Sequence, residues 1–211
     1  MSVSLLSRLF ASAAACLTLA FAPGISAAAD QSYVELSTPH ATDAGPGKIE
    51  VLEFFSYGCS HCNAMEPSFE AWSKAQPDDV EVHAVPIAFN AGMKPMQQLY
   101  YTLEAMGRLD LHSAVFNAIH QQRKRLFTED AIVDWAGEQG LDVAKFKDTF
   151  NSFGVNSQVQ RANTLTEAYA IEGTPTLAVN GRYITSPSHA DGYREAVETV
   201  DRLVKKIRDE Q

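Results

Sequence analysis

Cysteine is scarce in this chain: three among 211 residues, at Cys16, Cys59 and Cys62. Three are too few to staple a small fold through a disulfide framework. Positive charge is also in short supply, with 17 Lys and Arg against 26 Asp and Glu and a net charge of −9. No basic stripe occurs, which excludes a groove that binds nucleic acid by neutralising phosphates. No apolar run reaches the ~20 residues that a bilayer span needs, and there are no internal repeats. What is present, 45% hydrophobic and 20% charged residues, is an ordinary globular balance. The length suits one domain, or one domain carrying a large insertion.

The first 29 residues read as a leader. Arg8 is their only charge, and it precedes an apolar stretch from Ala13 to Ala22, then Pro23-Gly24 and Ala27-Ala28-Ala29. A basic start, a short apolar centre and a small-residue end predict a secretory signal peptide cleaved after Ala29. A lipid-anchored form through Cys16 is disfavoured, because Ala13 stands where such a site wants Leu. Removing the leader takes away one base and no acid, leaving 16 basic and 26 acidic residues and a net charge of −10. It also removes Cys16. The remaining pair, Cys59 and Cys62, then faces an oxidising compartment where thiols do not persist by default.

Along the mature chain, Tyr33 to Leu36 reads as a short edge strand. Ile49 to Phe55 is almost continuously apolar, the pattern of a strand covered on both faces. After Ser56-Tyr57-Gly58, the spacing of Cys62, Met65, Phe69 and Trp72 predicts a helix that opens near Cys59. Val80 to Pro86 reads as a second apolar strand, giving a βαβ unit with a parallel pair. From Asn90 to Asn163 no strand pattern occurs. Helices are expected at Lys94–Met106, at Leu111–Gln122, after the cap at Thr128, after the cap at Asp142, and along Val155 to Tyr169. Strands return at Thr176–Val179 and Arg182–Ile184 around the hairpin signal Asn180-Gly181. A final amphipathic helix carries Ala196, Val200, Leu203 and Ile207.

Cys59-Ser60-His61-Cys62 therefore sits where a buried strand hands over to a helix N-terminus. Free backbone N–H groups and the helix dipole favour an anion there, so a thiolate at Cys59 is stabilised while Cys62, one turn in, is more shielded. His61 can add positive charge near Cys59 when protonated. Stabilising the thiolate favours the reduced form, so a disulfide between these cysteines would be an oxidant. Two duller readings compete. A zinc site would need further ligands, yet His40, His83, His112, His120 and His189 show no ligand spacing, so no metal and no cofactor is expected. A structural disulfide is possible, although a loop this short constrains the unfolded chain little. Glu53 shares a strand face with Val51 and Phe55. Buried there, it would hold a raised pKa and could exchange a proton with Cys62; half-exposed, it is an ordinary strand acid.

The segment Val51-Leu-Glu-Phe-Phe-Ser-Tyr-Gly-Cys-Ser-His-Cys-Asn resembles the active-site strand and helix of the thioredoxin superfamily, and of its DsbA family in particular. The order of elements also matches, with a helical insert and then Gly173-Thr174-Pro175 before a late strand. The resemblance implies an α/β thioredoxin fold interrupted by an inserted all-helical domain, with 30–89 and 164–211 forming the thioredoxin-like part and 90–163 the insert. It implies that Cys59 is the attacking nucleophile and Cys62 the resolving thiol, paired as a Cys59–Cys62 disulfide in the oxidised form. Ser60 and His61 would be the tuning dipeptide, commonly Pro-His in the family. Pro175 would be a cis-proline facing the cysteines, Thr174 its substrate-contacting neighbour, and Pro67 a helix-kinking proline. The family lysine that accompanies the acid at Glu53 has no counterpart in Val80–Pro86.

The function expected from this resemblance is a periplasmic thiol:disulfide oxidoreductase that gives its disulfide to unfolded exported proteins. A DsbB-like membrane quinone reductase would reoxidise it, and the protein would act as a monomer. A reductant or isomerase is the rival enzyme. Isomerases of the superfamily carry an N-terminal dimerisation domain, for which Asp30–Lys48 is too short, and reductants usually show a Trp where Gly58 stands. A peptide-binding chaperone with an incidental disulfide is the non-enzymatic rival.

Overall fold

The computed structural model describes residues 32–211. The expected leader, its cleavage after Ala29 and Cys16 lie outside the described residues. A five-stranded sheet forms the centre, in the order β1 (Val34–Glu35), β5 (Tyr183–Thr185), β4 (Thr176–Val179), β2 (Ile49–Phe55), β3 (Val80–Pro86). β2 and β3 are parallel, paired from Ile49–Val80 to Phe55–Pro86, and the other pairings are antiparallel. The crossover between the parallel strands β2 and β3 is α1 (Ser60–Lys74), with Pro67 in its interior.

All seven residues of β2 are buried, as its almost continuously apolar run predicts, and Glu50 and Glu53 are buried with it. Alternate residues serve two cores. Ile49 and Val51 pack with Met65 and Phe69 of α1 and with Val200, Leu203 and Val204 of α8 (Tyr193–Glu210). Leu52 and Phe54 face the helical side, with Leu99, Phe116, Trp135 and Val159. Five helices build that side: α2 (Lys94–Ala105), α3 (His112–His120), α4 (Glu129–Glu138), α5 (Val143–Phe150) and α6 (Phe153–Ala168). Their starts follow local chemistry: the side chains of Thr128, Asp142 and Ser152 accept from Ala131, Lys145 and Val155 N–H. α6 is one continuous helix through Asn163, so position 163 is mid-helix, and its stripe reaches both the insert and β3.

Two places differ from the sequence reading. β3 is less covered than an inner strand, with only Val85 and Pro86 buried, because it is the sheet edge. Its Glu81 holds Lys48 at 2.6 Å in solvent. A short helix, α7 (Pro187–Ala190), follows β5, capped by Ser186 and opened by Pro187. The Asn180-Gly181 turn forms as expected, with φ of 50° and 64°. Gly181 is required there twice over, since a Cβ would also meet the His40 carbonyl oxygen at 2.1 Å.

Candidate active site

β2 runs out at Phe55, and the chain turns through Ser56-Tyr57-Gly58, closed by a 3.0 Å bond from Cys59 N–H to Ser56 O. Cys59 is the N-cap residue of α1, in extended conformation, and its carbonyl accepts from Asn63 N–H at 3.1 Å. Cys62 lies one turn in, fully buried, and both cysteines are free thiols. The two differ sharply in acidity. Cys59 is pulled down to about 5, first by the hydrogen bond it receives from the Cys62 thiol. Partial burial opposes this, while the Thr174 side chain and the backbone N–H groups of Cys62 and His61 assist. The bond with Cys59, together with burial, pushes Cys62 far up. Protonated, Cys59 donates to the Thr174 carbonyl oxygen at 3.3 Å. The Thr174–Pro175 peptide bond is cis, as the sequence reading expects.

Ser60 and His61 occupy the first turn and are exposed. What His61 gives Cys59 is its backbone N–H. Its ring points elsewhere: Nδ1 meets the hydroxyl of Tyr193, the first residue of α8, at 2.6 Å. Glu53 is 3% exposed, so the buried alternative holds. Burial, and then the charge of Glu66, push its carboxyl well above the usual carboxylate range.

Sequence reasoning missed the polar residues that surround the motif, one on α1 and three on the inserted helix α3. Glu66 is buried on α1, four residues after Cys62 and hence on the same helix face. Its Oε1 accepts from Ser113 Oγ at 3.2 Å, and its Oε2 lies 3.5 Å from His112 Nε2. The other ring nitrogen of His112 meets the Tyr57 hydroxyl at 2.8 Å, and His120 Nε2 donates to the Tyr57 carbonyl oxygen at 2.8 Å. Three side chains of α3 thus grip the residues on either side of Cys59-x-x-Cys62. The helical spacing of Cys62 and Glu66 was a usable signal. The two histidines offered none, because what they hold lies 55 and 63 residues away.

Beside Cys59 a groove of about 860 Å³ runs between the 169–176 loop and the α7 turn, walled by Val34, His61, Ile171, Ile184, Pro187 and Tyr193. An accessible low-pKa thiol, a buried partner one turn on, a proline loop against them and an open groove define a dithiol–disulfide exchange centre on a thioredoxin-type frame.

Comparison with known proteins makes the assignment specific. Residues 50–198 match the DSBA-like thioredoxin domain. Thiol:disulfide interchange protein DsbA of Bordetella parapertussis is 55% identical over 202 residues, covering 95% of this chain and 96% of its own. The protein of that name in Pseudomonas aeruginosa is 40% identical over 200 residues, covering 92% and 94%. The crystal structure of Pseudomonas aeruginosa DsbA superposes with a TM-score of 0.80 at 41% identity, over 84% of this chain and 93% of that one. Oxidoreductase DsbA from Xylella fastidiosa gives 0.77 at 29% identity, over 84% and 96%. The chain belongs to the DsbA family, with its thioredoxin fold carrying a helical insertion, and it is a thiol:disulfide oxidoreductase.

Proposed function

We propose that this protein is a periplasmic dithiol oxidase that donates the Cys59–Cys62 disulfide to exported proteins as they fold. The observation that carries this direction is the split between the thiols, one held near 5 and the other pushed far up across a single helical turn. A stabilised Cys59 thiolate favours the dithiol and makes the disulfide a strong oxidant. A substrate thiolate attacks Cys59 Sγ, forming a mixed disulfide and breaking the Cys59–Cys62 bond. Cys62 leaves with the electron pair and takes a proton, for which Glu53 is the buried donor. A second substrate thiolate then attacks the substrate sulfur, closing the substrate disulfide and releasing the Cys59 thiolate. Two electrons pass from substrate to enzyme. Ser60 and His61 tune the pair, and Thr174 and Pro175 present backbone to an extended substrate segment by strand addition. Reoxidation falls to a DsbB-like membrane quinone reductase, and the working form is a monomer released from its leader near Ala29.

Equilibration of the purified protein against a glutathione buffer series tests the direction. An oxidase stays reduced until the buffer is strongly oxidising, whereas a pair that is oxidised in mildly reducing buffer refutes the reading. Intact mass of the exported form checks cleavage after Ala29.

A further inference from the structure

His61 stands between the two cysteines, yet its imidazole is directed away from them. Its Nδ1 lies 2.6 Å from Tyr193 Oη, with ring centroids 6.1 Å apart and planes inclined by 35°. Tyr193 is held firmly in this position. Asp191 closes α7 in the left-handed conformation, Gly192 follows at φ 155° with its N–H on the Pro187 carbonyl at 2.9 Å, and Tyr193 opens α8. Gly192 suits this corner because its φ of 155° is one that residues with a side chain rarely adopt. The hydroxyl therefore comes from a rigid corner and reaches a side chain 132 residues away.

We propose that Tyr193 is a positioning residue that holds the His61 ring away from Cys59 and so moderates the oxidising power of the dithiol. The inference rests on the oxidoreductase reading but concerns what tunes it. A hydroxyl can donate to, or accept from, an imidazole nitrogen, so the contact persists in either tautomer. While it persists, the ring cannot swing over the Cys59 sulfur, where a protonated imidazole would stabilise the thiolate further. Cys62 on α1 and Thr174 in the proline loop contact Cys59, and Glu172, His189 and Asp191 line the groove wall together with His61. Of these, His189 is engaged by Ser186 Oγ at 3.2 Å. Releasing His61 is the change that lets an imidazole approach the thiolate.

The test is Tyr193→Phe, which removes one oxygen at the surface and leaves the ring contact. The Cys59 thiolate is titrated by its ultraviolet absorbance in the reduced protein, and the glutathione equilibrium is measured alongside. The expected result is a midpoint lowered by about half a pH unit and an equilibrium shifted about threefold toward the dithiol. In a His61→Ala background the same change should shift neither. An unaltered midpoint in Tyr193→Phe, or a shift of equal size without His61, overturns the proposal. A protein that fails to exchange with glutathione, while Cys59 still titrates low and still responds to Tyr193→Phe, would refute the oxidase reading and leave this inference standing.

Discussion

At Cys59 a single proton sets the balance between the two redox forms. Its folded pKa of about 5 lies below the ~8.5 of an unfolded thiol. The stabilisation of the reduced fold is therefore complete above ~8.5 and is lost as pH falls through 5; at pH 7 it is worth about 3 kcal/mol. Cys62, pushed up, is a thiol in both states at pH 7 and adds nothing there. Against this, closing a four-residue loop stabilises the oxidised fold by about 2 kcal/mol on chain-entropy reasoning. The reduced protein should melt higher at pH 7 and above, and the order should reverse between about pH 6 and 7. Paired thermal melts of both forms at pH 7.5 and pH 5 check this; an oxidised form that melts higher at both would mark Cys59–Cys62 as a structural bond. Glu53 gives a second test at this scale. Glu53→Gln should leave alkylation of Cys59 at pH 5 unchanged, because Glu53 is not among the groups that lower it. It should slow closure of the disulfide at pH 7 at least tenfold, since the buried acid that exchanges a proton with Cys62 is gone. Equal rates in stopped-flow oxidation would remove Glu53 from the proton path.

Among the elements, α3 connects the insert to the redox centre. Its His112 bridges Tyr57 and Glu66 in a buried setting, with side-chain exposures of 15% and 7% for the His112–Glu66 pair. Replacing His112 with Phe keeps the aromatic packing against Phe55 and Phe116 but removes the His112 contacts of the buried Glu66 carboxyl, which keeps Ser113, and of the buried Tyr57 hydroxyl. The expected cost is about 2 kcal/mol in urea unfolding, and Glu66→Gln in the same chain should recover part of it by removing the charge. Additive losses in the double variant would show that the two side chains do not act as a pair. This network also marks how far the sequence could be read. β2 was legible because a nearly continuous apolar run leaves few alternatives to a doubly covered strand. Thr128, Asp142 and Asn180-Gly181 were legible because a cap or turn is fixed within four residues. Cys59, Cys62, Glu53 and the cis bond before Pro175 followed from one motif and its resemblance. The grip of His112 and His120, the turn of His61 toward Tyr193 and the short helix α7 were not legible. Each depends on tertiary proximity between segments whose local patterns are unremarkable.

Over the whole molecule, the groove is where these segments meet. The start of α1, the 169–176 loop, β5 with the α7 turn, and the edge strand β1 each supply part of its wall, so no single element could have announced it. Among the described residues no helix is long and apolar enough to cross a membrane. The groove is walled in part by Val34, Ile171, Ile184 and Pro187, apolar side chains against which a polypeptide could be laid. Glutathione, a tripeptide, needs only the sulfur and its immediate surroundings, while an extended protein segment would lie further along the wall. Val34 discriminates between the two, being 46% exposed on the edge strand and outside the packed cores. Val34→Asp should leave the thiolate titration and the rate of glutathione exchange unchanged. Oxidation of a reduced, unfolded protein should lose about 1 kcal/mol of binding, read as a roughly fivefold rise in KM with kcat preserved. A fall in kcat with unchanged KM, or a parallel loss with glutathione, would mean that this wall supports the redox centre and does not hold the substrate.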